Sequence, residues 1–242
     1  MSNNAVVIYS GGADSTVILH HCLELYDNVY CLTFDYNQRH SIEIERAKKY
    51  ISVLQQKHSQ KNIDHRVLDL SFYGDLACTS ALTNKKIDVP KMKDVIGDPQ
   101  NKSYCPNRNM VLLSIAAAYA ESVNAGNVYY GATAVDDLSG YWDCTKPFLK
   151  QINDILGLNR RNNISINAPL IEMSKKEIIN RGVHLGVDFS KTYTCYNGEV
   201  KGCGVCPSCS ARIKGFIDSN YIDPLEYSVT IDWKKYNCKA IL

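Results

Sequence analysis

Residues 5–25 read AVVIYSGGADSTVILHHCLEL, and this run decides the fold. Ala5 to Tyr9 is a continuous apolar stretch, Ser10-Gly11-Gly12 reads as a tight loop, and from Ser15 to Leu25 the residues Val17, Ile18, Leu19, Cys22 and Leu25 share one helical face. The order is strand, loop, helix. The two glycines let successive backbone N–H groups wrap an anion, and the following helix aims its positive end at the same point. No Lys follows the glycines and the spacing is not Gly-x-Gly-x-x-Gly, so a Walker loop and a dinucleotide fingerprint both lose support. A phosphate cradle of another kind remains.

The same alternation continues outward. Val29 to Phe34 is a second apolar run, followed by Asp35-Tyr-Asn-Gln-Arg-His40 and a helical pattern of Ile42, Ile44, Ala47, Tyr50, Ile51 and Leu54. A third strand is predicted over Arg66 to Leu70. The segment from Ser71 to Pro106 has little periodicity and reads as a functional or mobile loop. Met110 to Val123 and Pro147 to Leu156 read as helices, Val128 to Gly131 and Ile164 to Asn167 as short strands. Ser174 to Leu185 reads as a helix that opens on a Ser-Lys-Lys-Glu capping box. Apolar strands alternating with helices predict an α/β fold, a parallel sheet covered on both faces.

With 242 residues and 45% hydrophobic content, the chain suffices for one large core plus a small appendage. A net charge of +2 without any run of five like charges favours a small-molecule substrate and no nucleic-acid partner. The N-terminus lacks the basic region and cleavage site of a signal peptide, and no apolar stretch approaches the ~20 residues of a membrane span. A cytoplasmic protein without a membrane partner is expected, so the ten cysteines are expected as thiols or thiolates.

Four of those cysteines crowd into TCYNGEVKGCGVCPSC: Cys195, Cys203, Cys206 and Cys209. The last three cannot complete a tetrahedral zinc site alone; Cys195 supplies the fourth sulfur. Four thiolates fill the coordination sphere, so the metal is expected to serve folding rather than chemistry. An iron–sulfur cluster and a redox Cys-x-x-Cys pair remain as alternatives on spacing. Cys22, Cys31, Cys78, Cys105, Cys144 and Cys238 are scattered as packing residues are.

The hexapeptide Ser10-Gly-Gly-Ala-Asp-Ser15 resembles the signature of the PP-loop ATP pyrophosphatases. Taken with Thr33-Phe-Asp-Tyr-Asn-Gln-Arg-His40, Pro106-Asn-Arg-Asn109, Asp137-Leu-Ser-Gly-Tyr-Trp-Asp-Cys144, Ala168-Pro-Leu170, Ser174-Lys-x-Glu177-Ile178 and the cysteine spacing, the chain is similar nearly end to end to the 7-cyano-7-deazaguanine (preQ0) synthase family. That resemblance implies a Rossmann-like, adenine nucleotide alpha hydrolase-like sheet over residues 1–190 and a zinc-binding C-terminal region over 191–242. It implies a ligase that takes 7-carboxy-7-deazaguanine and ammonia to the nitrile with ATP, for queuosine biosynthesis, as a homodimer. Tyr9, Ser10, Gly11, Gly12, Ala13, Asp14, Ser15, Thr16 and Phe34 would then hold ATP, with Asp14 oriented towards Mg²⁺. Charge developing on the phosphates calls for a cation, for which Arg108, Lys175 and Arg39 are candidates. Asp14 and Ser15 complete the expected catalytic set. Asp137 and Asp143 could accept from the N1–H and amine of the base, with Tyr36 and Arg108 also on the substrate.

Departures from the family pattern are Ala13, Asn37, Cys105, Asn107, Leu138 and Trp142, the last two in the substrate-loop motif. Among the histidines only His40 has a claim on the site. Alternatives are a PP-loop tRNA thiolase, and a nucleotide-binding or 7-deazaguanine-conjugating relative without this catalysis. Ile222 to Leu242 is expected either to make a dimer contact or to cap the core.

Overall fold

The computed structural model describes residues 3–133, 140–159 and 163–241. Five parallel strands form one sheet in the order β3-β2-β1-β4-β5: β1 Asn4–Ile8, β2 Asn28–Asp35, β3 Asn62–Asp69, β4 Asn127–Tyr129 and β5 Ser165–Asn167. The helices are α1 Ala13–Leu25, α2 Ile42–Lys57, α3 Ser71–Leu76, α4 Arg108–Ser122, α5 Lys146–Leu156, α6 Lys175–His184 and α7 Pro207–Asp218.

The unbroken apolar run of β1 has its reason in burial on both faces. Successive side chains of a strand point to opposite sides. Val6 joins Leu32, Phe34, Val128 and Ile166 in one core, covered by α4 residues such as Leu113 and Ala116 and by Phe148 and Ile152 of α5. Ala5 and Val7 join Val29, Cys31 and Tyr129 in the other, covered by α1, by Ile51 and Leu54 of α2, and by Ile178 and Ile179 of α6. The parallel sheet covered by helices is therefore as expected.

Three features depart from the sequence reading. β3 begins at Asn62, four residues before the predicted start, and pairs with β2 along eight positions although Ile63 is its one buried residue. An edge strand is held by backbone pairing to one neighbour, so its sequence need not be apolar. The segment after it is not wholly loop: it contains α3 and a 3-10 turn at Met92–Asp94. Helix α7 has no counterpart in the sequence reading because its first turn is also the cysteine cluster; Cys206 caps it by accepting from the Cys209 N–H, and Pro207 opens it. Its Phe216 is fully buried in the α1 and α6 core, on which Tyr221, Trp233 and Ile241 also pack. The C-terminal segment caps that core.

Asn37 sits where the family pattern has Gly, with φ 60. Asn is among the few side chains that tolerate this left-handed region.

Candidate active site

The chain leaves β1 for β2 and β3 on one side and later returns to β4 and β5 on the other. Between the ends of β1 and β4 a crevice opens, the position where open α/β sheets bind ligands. A cavity of about 270 Å³ lies there.

Its floor is the glycine loop. The Ser10 hydroxyl accepts from the Gly12 N–H at 3.2 Å and lies 3.1 Å from Ser15 Oγ, which in turn donates to Gly12 O at 3.1 Å. Thr16 Oγ1 donates to the same carbonyl at 2.8 Å. Gly11 has φ +82, and a Cβ there would stand 2.9 Å from Glu43 O, so only glycine fits. No side chain caps α1 at Gly12. The leading amides of that helix are left for an anion.

Of the sequence-selected nucleotide residues, Tyr9, Ser10, Gly12, Ala13, Asp14, Ser15 and Phe34 line the cavity; Gly11 and Thr16 shape the loop from beneath. Tyr36, Arg108 and Lys175 also line it. The capping box forms as read, with Ser174 N–H donating to Glu177 at 2.8 Å and Glu177 N–H to Ser174 Oγ at 3.3 Å, and it places Lys175 at the first position of α6. From there Lys175 Nζ reaches both oxygens of Asp14 at 2.7 Å. Arg108 opens α4 and donates to Tyr36 OH at 3.4 Å. Burial works against its charge; Tyr36, Cys105 and Asp143 outweigh this and push the guanidinium above its ordinary range.

Two selected residues are elsewhere. The Arg39 guanidinium is turned away from the cavity and donates to the carbonyls of Ala81, Asn84 and Ile87 at 3.1, 3.2 and 2.7 Å. Asp143 is 4% exposed and not in the cavity wall. Burial pushes its carboxyl up, against the pull of Arg108. Asp137 and Leu138 lie outside the described residues. The altered Trp142 is exposed, donating from Nε1 to Tyr104 OH at 2.8 Å, and is not in the wall, whereas its neighbours Tyr141 and Cys144 are.

The four cysteines converge. Their sulfurs all lie within 4.8 Å of one another, and the N–H groups of Cys203, Val205, Cys206 and Cys209 donate to sulfurs of the set at 3.3–3.5 Å. Such donors suit thiolates, and four soft sulfurs in mutual reach suit a tetrahedral ion. The cluster stands apart from the cavity wall, but its helix does not: Pro207, Ser208, Ala211 and Arg212 line the cavity.

Sequence reasoning passed over several residues here. Arg212 is 2% exposed and makes a bidentate pair with Asp223 at 2.7 and 2.9 Å; it also donates to Thr192 Oγ1 at 2.7 Å and Phe189 O at 3.1 Å. Tyr193, Thr194 and Tyr196 form a wall, tied to the loop by Tyr193 N–H donating to Gly11 O at 2.9 Å. Glu43 joins His40 in the wall. Only the nearness of Thr192 to Tyr196 to Cys195 in sequence offered a signal for these.

The family described as queuosine biosynthesis protein QueC matches residues 4–220. A protein of Alteromonas mediterranea named 7-cyano-7-deazaguanine synthase is 41% identical over 228 residues, 94% of this chain and 100% of that relative. One of the same name from Caldicellulosiruptor bescii is 41% identical over 229 residues, 95% and 99% of the two chains. Among solved structures, an NMN synthetase from Francisella tularensis superposes with a TM-score of 0.50 at 16% identity, covering 98% of this chain and 82% of that one, a likeness of fold alone. Sequence identity along nearly the whole length, with the glycine loop and cysteine cluster in place, puts this chain in the QueC family.

Proposed function

We propose that this chain is a 7-cyano-7-deazaguanine synthase that converts 7-carboxy-7-deazaguanine and ammonia to the nitrile at the expense of ATP. The observation that carries the reading is a single cavity in which the pyrophosphate-type loop, an aromatic pair (Phe34 and Tyr36) and two cations (Arg108 and Lys175) face one another. A carboxylate is a poor electrophile. Attack of its oxygen on the α-phosphate of ATP makes an acyl adenylate and expels pyrophosphate; ammonia then gives the amide. Activating the amide oxygen a second time lets that oxygen leave with AMP, and the nitrile forms.

In this reading the amides of the Ser10–Ser15 loop and the head of α1 receive the departing pyrophosphate, with Ser10 and Ser15 hydroxyls beside them. Lys175 is the cation at that end, already held by Asp14, and Asp14 is the carboxylate that would hold Mg²⁺, which screens phosphate charge. Arg108 is the cation on the acyl side. Phe34 and Tyr36 offer faces for the adenine and the base, and Asp143 acts on the base through Arg108 rather than by contact. Arg39 holds the 71–107 segment in place through three carbonyls. Cys195, Cys203, Cys206 and Cys209 hold a structural Zn²⁺, in a C-terminal region (191–242) appended to the nucleotide-binding part (1–190). The homodimer and the cytoplasmic setting are carried over from the family resemblance. Among the described residues no helix is long and apolar enough to cross a membrane.

Mass spectrometry of a reaction with ATP, Mg²⁺, ammonium and 7-carboxy-7-deazaguanine tests this. Nitrile and AMP are expected from the native chain and neither from Asp14→Ala. AMP with the amide alone would restrict the chain to the first half of the reaction, and no AMP from metal-loaded protein would overturn the assignment.

A further inference from the structure

Resting on the nitrile-forming reading, we propose that His40, oriented by Glu43, is the proton acceptor for the nitrogen in both halves of the reaction. Nitrogen arrives mostly as ammonium, which has no lone pair to attack with until it gives up a proton. In the first half the C–N bond forms, the C–O bond to AMP breaks, and one further N–H proton must leave. In the second, the C–O bond of the adenylated amide breaks with AMP leaving, C≡N forms, and the two protons still on nitrogen leave. A base on the nitrogen side serves every one of these transfers.

The groups in the cavity wall are mostly committed. The Asp14 carboxylate is bound by Lys175, while Arg108, Lys175 and Arg212 are cations. The His40 side chain is in the wall, 5% exposed, and its Nδ1 is buried without a hydrogen-bond partner, an acceptor left unmet inside the site. Its Nε2 lies 3.3 Å from Glu43 Oε1. That carboxylate accepts from the ring, placing the proton on Nε2 and leaving the lone pair on Nδ1. Glu43 is itself held, accepting from Gln38 Nε2 at 3.4 Å, and Gln38 is anchored to the end of β2 by Tyr36 N–H at 2.8 Å and Phe34 O at 3.1 Å.

The dyad sits between the two parts of the site. Glu43 O lies against Gly11 of the phosphate loop. On the other side the Cys195–Cys203 loop packs on His40: at Gly198, φ +74, a Cβ would stand 2.4 Å from Arg39 O and 3.0 Å from His40 Cα, and the Tyr196 ring centroid is 5.8 Å from that of His40. A rigid imidazole next to the nucleotide loop is what a shared base requires.

The test uses the full-length, metal-loaded chain and two nucleophiles. Ammonium needs deprotonation; hydroxylamine is largely unprotonated at neutral pH and traps the acyl adenylate as hydroxamate without a strong base. His40→Asn is expected to lower amide and nitrile formation from ammonium by about 100-fold or more, while hydroxamate formation stays within a few fold of the native chain. Glu43→Gln is expected to show the same split more weakly, and it carries the test if His40→Asn does not fold. Equal loss with both nucleophiles would assign His40 a purely structural role, and native rates with ammonium would remove it from the chemistry; either result overturns the proposal. A native chain that makes no AMP would instead fell the nitrile-forming reading itself, with this proposal going with it.

Discussion

The glycine loop and the cysteine cluster build their sites by opposite means. The loop compresses its function into six consecutive residues, Ser10 to Ser15, whose hydroxyls and amides bond within the loop itself. The cluster gathers four side chains across fifteen residues and depends on a buried scaffold behind it, the Arg212–Asp223 pair and Phe216. A site made of backbone tolerates distant change and is sensitive to a single Cβ. A site made of side chains tolerates local variation in the turn but fails when a ligand or its support is removed.

The largest effect should come from the cluster. Cys206→Ser removes one of the four sulfurs, the one that caps α7, so on the structural-metal reading metal stoichiometry should fall and the C-terminal region should lose its cooperative melting, with nitrile formation abolished because that helix forms part of the cavity wall. Native thermal behaviour with full metal would contradict the structural role. Asp223→Asn comes next: it leaves Arg212 buried without its counter-charge and should cost about 3–5 kcal/mol, a fall in Tm of roughly 6–20 °C. A shift under 2 °C by calorimetry would mean that the support is dispensable.

Gly11→Ala probes the backbone site. Its left-handed φ and the 2.9 Å approach to Glu43 O should cost about 1–3 kcal/mol and raise the KM for ATP, with the cysteine cluster still fully loaded with metal. Metal loss in this variant would show the two regions to be coupled rather than separable.

The smallest expected effect is a pH dependence away from both. His20 is buried with Nδ1 3.1 Å from Leu185 O and Nε2 2.9 Å from Tyr50 OH, and burial lowers its pKa from 6.5 to about 4. Between those values the unfolded chain binds the proton and the folded chain does not, so stability should rise with pH across roughly pH 4 to 6.5. His20→Gln should flatten that slope in urea melts; an unchanged slope would assign it to other groups.

Legibility followed the same division. The loop, the two central strands, α1, α4 and the α6 capping box could be read because each is specified by neighbours in sequence: an apolar run, a helical period, a Ser and Glu three apart. The early start of β3 escaped because an edge strand is stabilised by pairing, and α7 escaped because its first turn was read as metal spacing. Arg39 and Asp143 were natural candidates by motif, yet one side chain is spent on three loop carbonyls and the other is buried outside the cavity wall.

By itself, then, the sequence determined the glycine loop, the parallel α/β order and the four-sulfur cluster, since periodicity, glycine geometry and cysteine spacing are local properties. Only the tertiary structure decided which charges meet: Lys175 with Asp14 across 161 positions, Arg212 with Asp223, and His40 with its neighbours from the Cys195–Cys203 loop. Electrostatic partnership depends on distance in space and on burial, and neither is fixed until the helices have packed against both faces of the sheet.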